Sequence, residues 1–285
     1  MKKSQIKKLK KRFKQTHSQT QSTPYIQQLE HYREIYDAFP SIKYLINNAL
    51  ENDRLIKRGL LPQPLPPMQL PDDIQDTIFK WVNQQYAAKD PRGDALWDQL
   101  SAGLPELDHL LRNFRDYLED EYGMWSYTNT AFVHALSDYL KGAPVLEVMA
   151  GNGYLSKGLR DLRPEQTIYT TDSKDWVKEN ETGKHPVTTI EQLSAINAVD
   201  KYGQQVDYVL MSWAPDKGDG DIKLLKHLRL HFPNLKLLVI GEKNGATNSK
   251  GFWQEAKLSQ PADLKAVSDR LKSFDLIDEQ IYLAK

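Results

Sequence analysis

The residues best suited to do chemistry sit close together, in the run Pro144-Val145-Leu146-Glu147-Val148-Met149-Ala150-Gly151-Asn152-Gly153-Tyr154-Leu155-Ser156. Glu147 lies inside a short apolar stretch, and Ala150, Gly151 and Gly153 form a small-residue turn after it. Leu155, Leu159 and Leu162 then fall at the spacing of a helix's inner face. Strand, glycine turn and helix start together bring backbone N–H groups up to a ligand. A dinucleotide loop would want a third glycine in G-x-G-x-x-G spacing, and Ser156 stands in its place. A carboxylate at Glu147 favours a ligand with a cation near the turn and repels a pyrophosphate.

Further candidates lie where later strands should end. Asp172 follows the turn by about twenty positions, the spacing at which an acid accepts hydrogen bonds from ribose hydroxyls. The alternative is a plain helix cap. Ser212-Trp213-Ala214-Pro215 places an indole and a proline ring at a strand mouth, to line a substrate or to terminate the strand. Glu242 opens a polar, glycine-containing loop up to Ser249, long enough to act as a lid. Tyr127, in the cluster Trp125-Ser126-Tyr127, lines a pocket or packs a joint.

The elements that must position these residues follow from periodicity. Apolar runs alternate with helical stretches after Gly142, the pattern of a mostly parallel α/β sheet. Strands are expected at Val145–Met149, Thr167–Asp172, Val187–Ile190, Asp207–Trp213, Leu235–Gly241 and within Phe274–Leu283. Helices are expected at 130–140, 155–163, 191–202, 219–231 and 262–272. Ligands in such sheets bind beyond the carboxyl ends of the strands. Ahead of the sheet the pattern is helical. Tyr25, Leu29, Tyr32, Tyr36 and Phe39 share a face, as do Ile42, Leu45, Ile46, Ala49 and Leu50. Further helices carry Ile74, Ile78, Trp81 and Val82, and then Leu107 to Leu118. The proline-rich run from Leu61 to Pro71 excludes helix and central strand and reads as a stiff connector. The expected domains are a basic arm over 1–22, a helical domain over 23–123 and an α/β domain over 124–285.

Composition narrows the classes. Formal net charge is zero over 285 residues, so no global field draws the chain to nucleic acid or membrane. The lysine-rich arm offers a weak nucleic-acid contact at most, and a solvated arm is the plainer reading. Absence of cysteine excludes disulfides, thiolate metal sites and a cysteine nucleophile, and fits the cytoplasm. No apolar run approaches the length of a membrane span.

The run Val145 to Gly153 resembles the acidic-x-G-x-G-x-G motif of class I S-adenosylmethionine-dependent methyltransferases. Asp172 is similar to that family's acid after strand two, and Ser212-Trp213-Ala214-Pro215 falls at its strand-four motif. The resemblance covers about residues 125 to 285. It implies a Rossmann-like fold, S-adenosyl-L-methionine as cofactor, no metal, and a methyl-acceptor substrate that the motifs do not name. It implies that Glu147 organises the methionine end through the turn and that Ala150, Gly151 and Gly153 pack on the cofactor. Asp172 would bind the ribose, Thr189 to Glu191 would lie near the adenine, and Ser212 near the methyl. Tyr127, Trp213, Pro215 and Glu242 would line the acceptor side. Met149 replaces a glycine and would narrow the space beside the cofactor. Ser212 and Ala214 depart from the motif of amino-group enzymes, which argues against a nucleobase or amide nitrogen acceptor. The C-terminal antiparallel hairpin of the family looks shortened, with room for one strand. Alternatives are a non-catalytic S-adenosylmethionine-binding regulatory module and an RNA methyltransferase anchored by the basic arm.

Overall fold

A computed structural model of the chain describes residues 23–175 and 185–285. The basic arm, and the nucleic-acid contact assigned to it, lie outside the described residues. The chain forms two compact units, one from residues up to 50 and 70–111, the other from 51–69 and 112–285.

The first unit is helical. It holds α1 (Pro24–Ile35), the first part of α2 (Pro40–Lys57), α3 (Ile74–Gln85), α4 (Pro91–Ala102) and nearly all of α5 (Leu104–Arg112). Thr23 caps α1 by accepting from the Ile26 amide, with Pro24 at the first helical position. The expected apolar faces form its core, with Leu29, Tyr36, Ile42, Ile46 and Ile78 buried. Buried tyrosines need a partner for the hydroxyl. Tyr36 donates to the Leu100 carbonyl at 2.6 Å and Tyr25 to the Leu110 carbonyl at 2.6 Å. The helix expected through Leu107 and Leu118 is two helices, because the chain leaves helical geometry at Asn113 before α6 (Phe114–Tyr122). Helix α4 was not expected, since its apolar residues are few.

The second unit carries a seven-stranded sheet in the order β3-β2-β1-β4-β5-β7-β6. Strands β1 (Val145–Val148), β2 (Ile168–Asp172), β3 (Glu191–Gln192), β4 (Tyr208–Ser212) and β5 (Lys236–Glu242) are parallel. Strand β7 (Glu279–Ala284) runs antiparallel to β5, and β6 (Leu258–Ser259) antiparallel to β7. The fold is thus a Rossmann-like, mostly parallel sheet with flanking helices, preceded by helices. Helices α7 (Thr130–Leu140), α8 (Tyr154–Leu162), α9 (Ala195–Tyr202), α10 (Gly220–His231), α11 (Lys250–Glu255) and α12 (Ala262–Ser268) flank it.

Three expectations need correction. The third strand is Glu191–Gln192, not Val187–Ile190, because pairing with Thr171 and Asp172 sets it and not its own apolarity. Helix α9 accordingly starts only after its Ser194 cap. The C-terminal antiparallel pair is complete, with β6 supplied from upstream across α12. The proline-rich connector is extended, as expected, and it is also a wall of the second unit. Leu61 Cδ1 would stand 2.5 Å from a Cβ at Gly158, and Met68 donates its amide to the Phe274 carbonyl at 2.8 Å.

Sheet register fixes what shares a face. Leu146, Val148, Val209, Met211, Leu237 and Val239 pack in one apolar cluster with Leu224 and Leu228 of α10. Alternate residues face the other way. Glu147 pairs with Leu210, Ser212 with Ile240, and Glu242 with Glu279. One face of the sheet therefore carries Glu147, Ser212, Glu242 and Glu279 towards its carboxyl edge.

Candidate functional site

The chain runs outward from β1 to β2 and β3, then returns to lay β4 on the other side of β1. In sheets of this topology neighbouring crossovers diverge at that point, so the carboxyl ends of β1 and β4 are where a ligand is expected. The glycine turn follows β1 and Ser212-Trp213 ends β4 at that point.

The turn is built from left-handed backbone. Met149, Gly151 and Gly153 have φ of 55°, 56° and 81°. At Gly153 a side chain is also sterically barred, since a Cβ would fall 2.6 Å from Thr188 Cγ2. Met149 takes this conformation at a cost of about 1–2 kcal/mol. Its side chain packs against the apolar cluster and lies 3.3 Å from where a Cβ at Gly220 would be. Ala150 donates to the Thr171 carbonyl at 3.1 Å, tying the turn to β2. Asp172 Oδ2 accepts from the Gly151 amide at 2.9 Å, and Oδ1 from the Lys174 amide at 2.6 Å. The two acid-bearing motifs of the sequence thus meet directly. The N-terminal end of α8 holds to the preceding segment too, because Asn152 Nδ2 donates to the Gly123 carbonyl and Tyr154 Oη to the Tyr122 carbonyl.

Glu147 is fully buried. Its Oε2 accepts from the Ser156 amide at 3.0 Å and from the Ser156 hydroxyl, and Oε1 accepts from Ser212 Oγ at 3.0 Å. Burial raises its pKa to about 7, against the pull of these serines and of Arg160. The carboxylate therefore clamps three things together: the first turn of α8, the end of β4 and β1 itself. Ser156, the missing third glycine, is one of its partners.

Other expected site residues are occupied differently. Glu191 is on the surface, held by Lys201 Nζ at 2.6 Å and by the Tyr202 hydroxyl, and these neighbours lower its pKa. Tyr127 is buried, with its hydroxyl on the Gln63 carbonyl and its ring 4.8 Å from that of Phe274. Pro215 is exposed and forms a bridge to Thr247. Glu242 folds onto its own loop, accepting from the Ala246 amide at 2.9 Å and from the Asp278 amide at 3.4 Å. The far end of that loop is tied down. Asn248 donates to the Ala214 carbonyl at 2.8 Å, and the buried Asp221 accepts from the Ser249 amide at 2.6 Å and its hydroxyl at 2.9 Å. These bonds hold the buried Asn248 and Ser249 in place, while Lys243 to Ala246 stay exposed.

Trp213 has a left-handed φ of 51° directly after β4. This breaks the strand's alternation and brings the indole beside Arg115, whose guanidinium carbon lies 5.4 Å from the ring centroid. Arg115 and Glu279 were missed in the sequence. Arg115 Nε donates to Asp275, Nη1 to the Trp125 carbonyl at 3.1 Å, and Nη2 to Ser273 Oγ at 3.2 Å. Its Nη2 stands 3.6 Å from Glu279 Oε2. Burial raises the Glu279 pKa to about 7, while Arg115 opposes the rise.

No protein-family model and no curated protein sequence matches this chain. Among solved structures it is similar to human N-acetylserotonin methyltransferase in complex with SAM, at 17% identity and a TM-score of 0.32, over 59% of this chain and 46% of that one. It thus spans under half the length of the human enzyme. It is also similar to the plantazolicin methyltransferase BpumL in complex with SAH, at 9% identity and a TM-score of 0.37, over 75% of this chain and 97% of that one. MtNAS in complex with MTA and tNA is 10% identical with a TM-score of 0.35, over 74% of this chain and 96% of that one. Scores of this size do not carry a function, which has to be read from the site itself.

Proposed function

We propose that this chain binds S-adenosyl-L-methionine at the carboxyl ends of β1 and β4 and transfers its methyl group to an acceptor. One observation supports this most: a left-handed glycine turn at the switch point, bonded to an acid at the end of β2 through Gly151 and Asp172. That arrangement suits a ligand with a ribose. The clamped carboxylate of Glu147 behind the turn suits one that carries a positive charge and no pyrophosphate.

In this reading Ala150, Gly151 and Gly153 let the backbone approach the cofactor, Asp172 takes the ribose hydroxyls, and Glu191 stands on the adenine side. Ser212 holds the strand-four end at the methyl. Trp213, with Tyr127, Pro215 and Glu242 further out, belongs to the acceptor side. The cofactor supplies an activated methyl on a sulfonium. The chain's own part is alignment and exclusion of water. No helix among the described residues is long and apolar enough to cross a membrane, and we assign the reaction to the cytoplasm.

Calorimetry with S-adenosylmethionine and with NAD tests the cofactor. The former should bind and the latter should not. Asp172→Ala and Gly151→Arg should each weaken S-adenosylmethionine at least tenfold, and a wild-type protein that binds none of it overturns the reading.

A further inference from the structure

The second buried carboxylate has no role in the cofactor reading. Glu279 is 4% exposed, and among the described residues neither of its carboxylate oxygens completes a hydrogen bond. Buried carboxylates are ordinarily hydrogen-bonded, and leaving one bare is costly. Facing it is the indole N–H of Trp213, buried and likewise without a completed hydrogen bond. Among the described residues Arg115 is the one cation paired with Glu279, at 3.6 Å, and its hydrogen bonds go to Asp275, Ser273 and the Trp125 carbonyl. The group therefore holds two carboxylates, the half-buried Asp275 and the buried Glu279, against one guanidinium. It is short of one positive charge, or of one proton.

Glu279 also lines a cleft of about 340 Å³ with Ser273, Asp275, Leu276, Ile277 and Asp278. Leu276, 92% exposed, supplies an apolar lip. Of the lysines that line the cleft, Lys265 is paired with Asp269, and Lys272 is exposed. Among the described residues no three histidine, aspartate or glutamate side chains converge as metal ligands. The missing charge is therefore suited to an organic cation with N–H donors.

We infer that this cleft receives the protonated amine of the methyl acceptor, with Glu279 as its counter-charge. The acceptor role rests on the cofactor reading above. The link between the two sites is short in the chain. Ser212 bonds Glu147 at the turn, and the next residue, Trp213, faces Glu279. The raised pKa of Glu279 is consistent with a carboxylate waiting for a cation.

The test uses the full-length protein with carboxyl-¹³C glutamate, and methylamine, benzylamine and the neutral isostere benzyl alcohol as probes. The Glu279 resonance is assigned from Glu279→Gln or Glu279→Asp, whichever folds. Either amine should shift that resonance saturably, and benzyl alcohol should bind at least tenfold more weakly than benzylamine. Glu279→Gln should weaken amine binding at least tenfold and leave S-adenosylmethionine affinity within twofold. A Glu279 resonance that neither amine moves, or amine binding indifferent to Glu279→Gln, overturns the inference. If amines bind at Glu279 while the wild type binds no S-adenosylmethionine, the cofactor reading falls and the amine site stands.

Discussion

Glu147 and Glu279 are two buried carboxylates on one face of one sheet, and both have a pKa raised to about 7. Burial raises both, and what opposes the rise differs. Glu147 has no ion pair and is held by three neutral donors from Ser156 and Ser212. The Glu279 carboxylate completes no hydrogen bond among the described residues and has a guanidinium 3.6 Å away. A satisfied carboxylate is architecture: its donors fix a turn, a helix start and a strand end. An unsatisfied one, beside an unsatisfied indole, is a place prepared for something else. The difference sorts a scaffold acid from a recognition acid although their titration looks alike.

The largest effect should come from breaking the scaffold side. Glu147→Ala strands the Ser156 amide and hydroxyl and the Ser212 hydroxyl in a dry interior. At about 1–3 kcal/mol for each orphaned donor, the expected loss is about 4 kcal/mol. Urea unfolding at pH 7 measures it, and a loss under about 1 kcal/mol would mean that the clamp is not what holds the turn.

Glu279→Gln should do the opposite and stabilise the protein at neutral pH. Below about 4.5 this group is protonated in both the folded and the unfolded chain. Between 4.5 and about 7 the folded chain keeps a proton that the unfolded chain has released, so stability falls as pH rises. Above about 7 the charged group carries its full penalty, about 3 kcal/mol. Glutamine avoids that penalty. Its gain should be largest at pH 8 and vanish near pH 4, and a gain independent of pH would place the effect in packing.

The scaffold half of this comparison was legible in the sequence and the recognition half was not. Apolar runs set β1, β4 and β5, and two glycines with an acid set the turn, because those signals are local and their cause lies within a few residues. Glu191–Gln192 is a strand only because Thr171 and Asp172 offer an edge, so no apolar pattern announces it. Leu258–Ser259 is too short to carry a period. Arg115 sits in Phe114-Arg115-Asp116-Tyr117-Leu118-Glu119-Asp120-Glu121-Tyr122, which reads as a solvated helix. Its partner Asp275 lies 160 residues on, and nothing local pairs them. Glu279 looks like an ordinary polar strand start. The loop from Glu242 looked like a lid because its composition is polar, and the buried tether at Asp221 became visible only in space.

Cofactor affinity should separate the two acids by pH. A sulfonium near the turn favours the charged form of Glu147, so S-adenosylmethionine should bind more tightly as pH rises through about 7. The gain from pH 6 to pH 8 is up to about tenfold if only the ionised form binds. Arg160, which also acts on Glu147, stays charged throughout this range. The dependence should persist in Glu279→Gln and disappear in Glu147→Gln. Titrations that give the reverse would exchange the roles assigned to the two acids.

The smallest effect tests the indole that joins the two halves. Trp213→Phe keeps a ring under Arg115, and with it most of the cation–π contact of about 0.5–1 kcal/mol. It also keeps the left-handed backbone at this position, so any strain there is shared by both proteins. What it removes is the N–H that faces Glu279. That N–H favours the charged carboxylate, so its loss should move the Glu279 pKa further up, while overall stability changes by less than about 1 kcal/mol. Carboxyl ¹³C titration of Glu279 reads this directly, with Glu147 in the same spectrum as the internal control. An upward move at Glu279 alone would make Trp213 part of the recognition site. Equal moves at both acids would make it part of the scaffold, and the division drawn between the two carboxylates would fail at the residue that connects them.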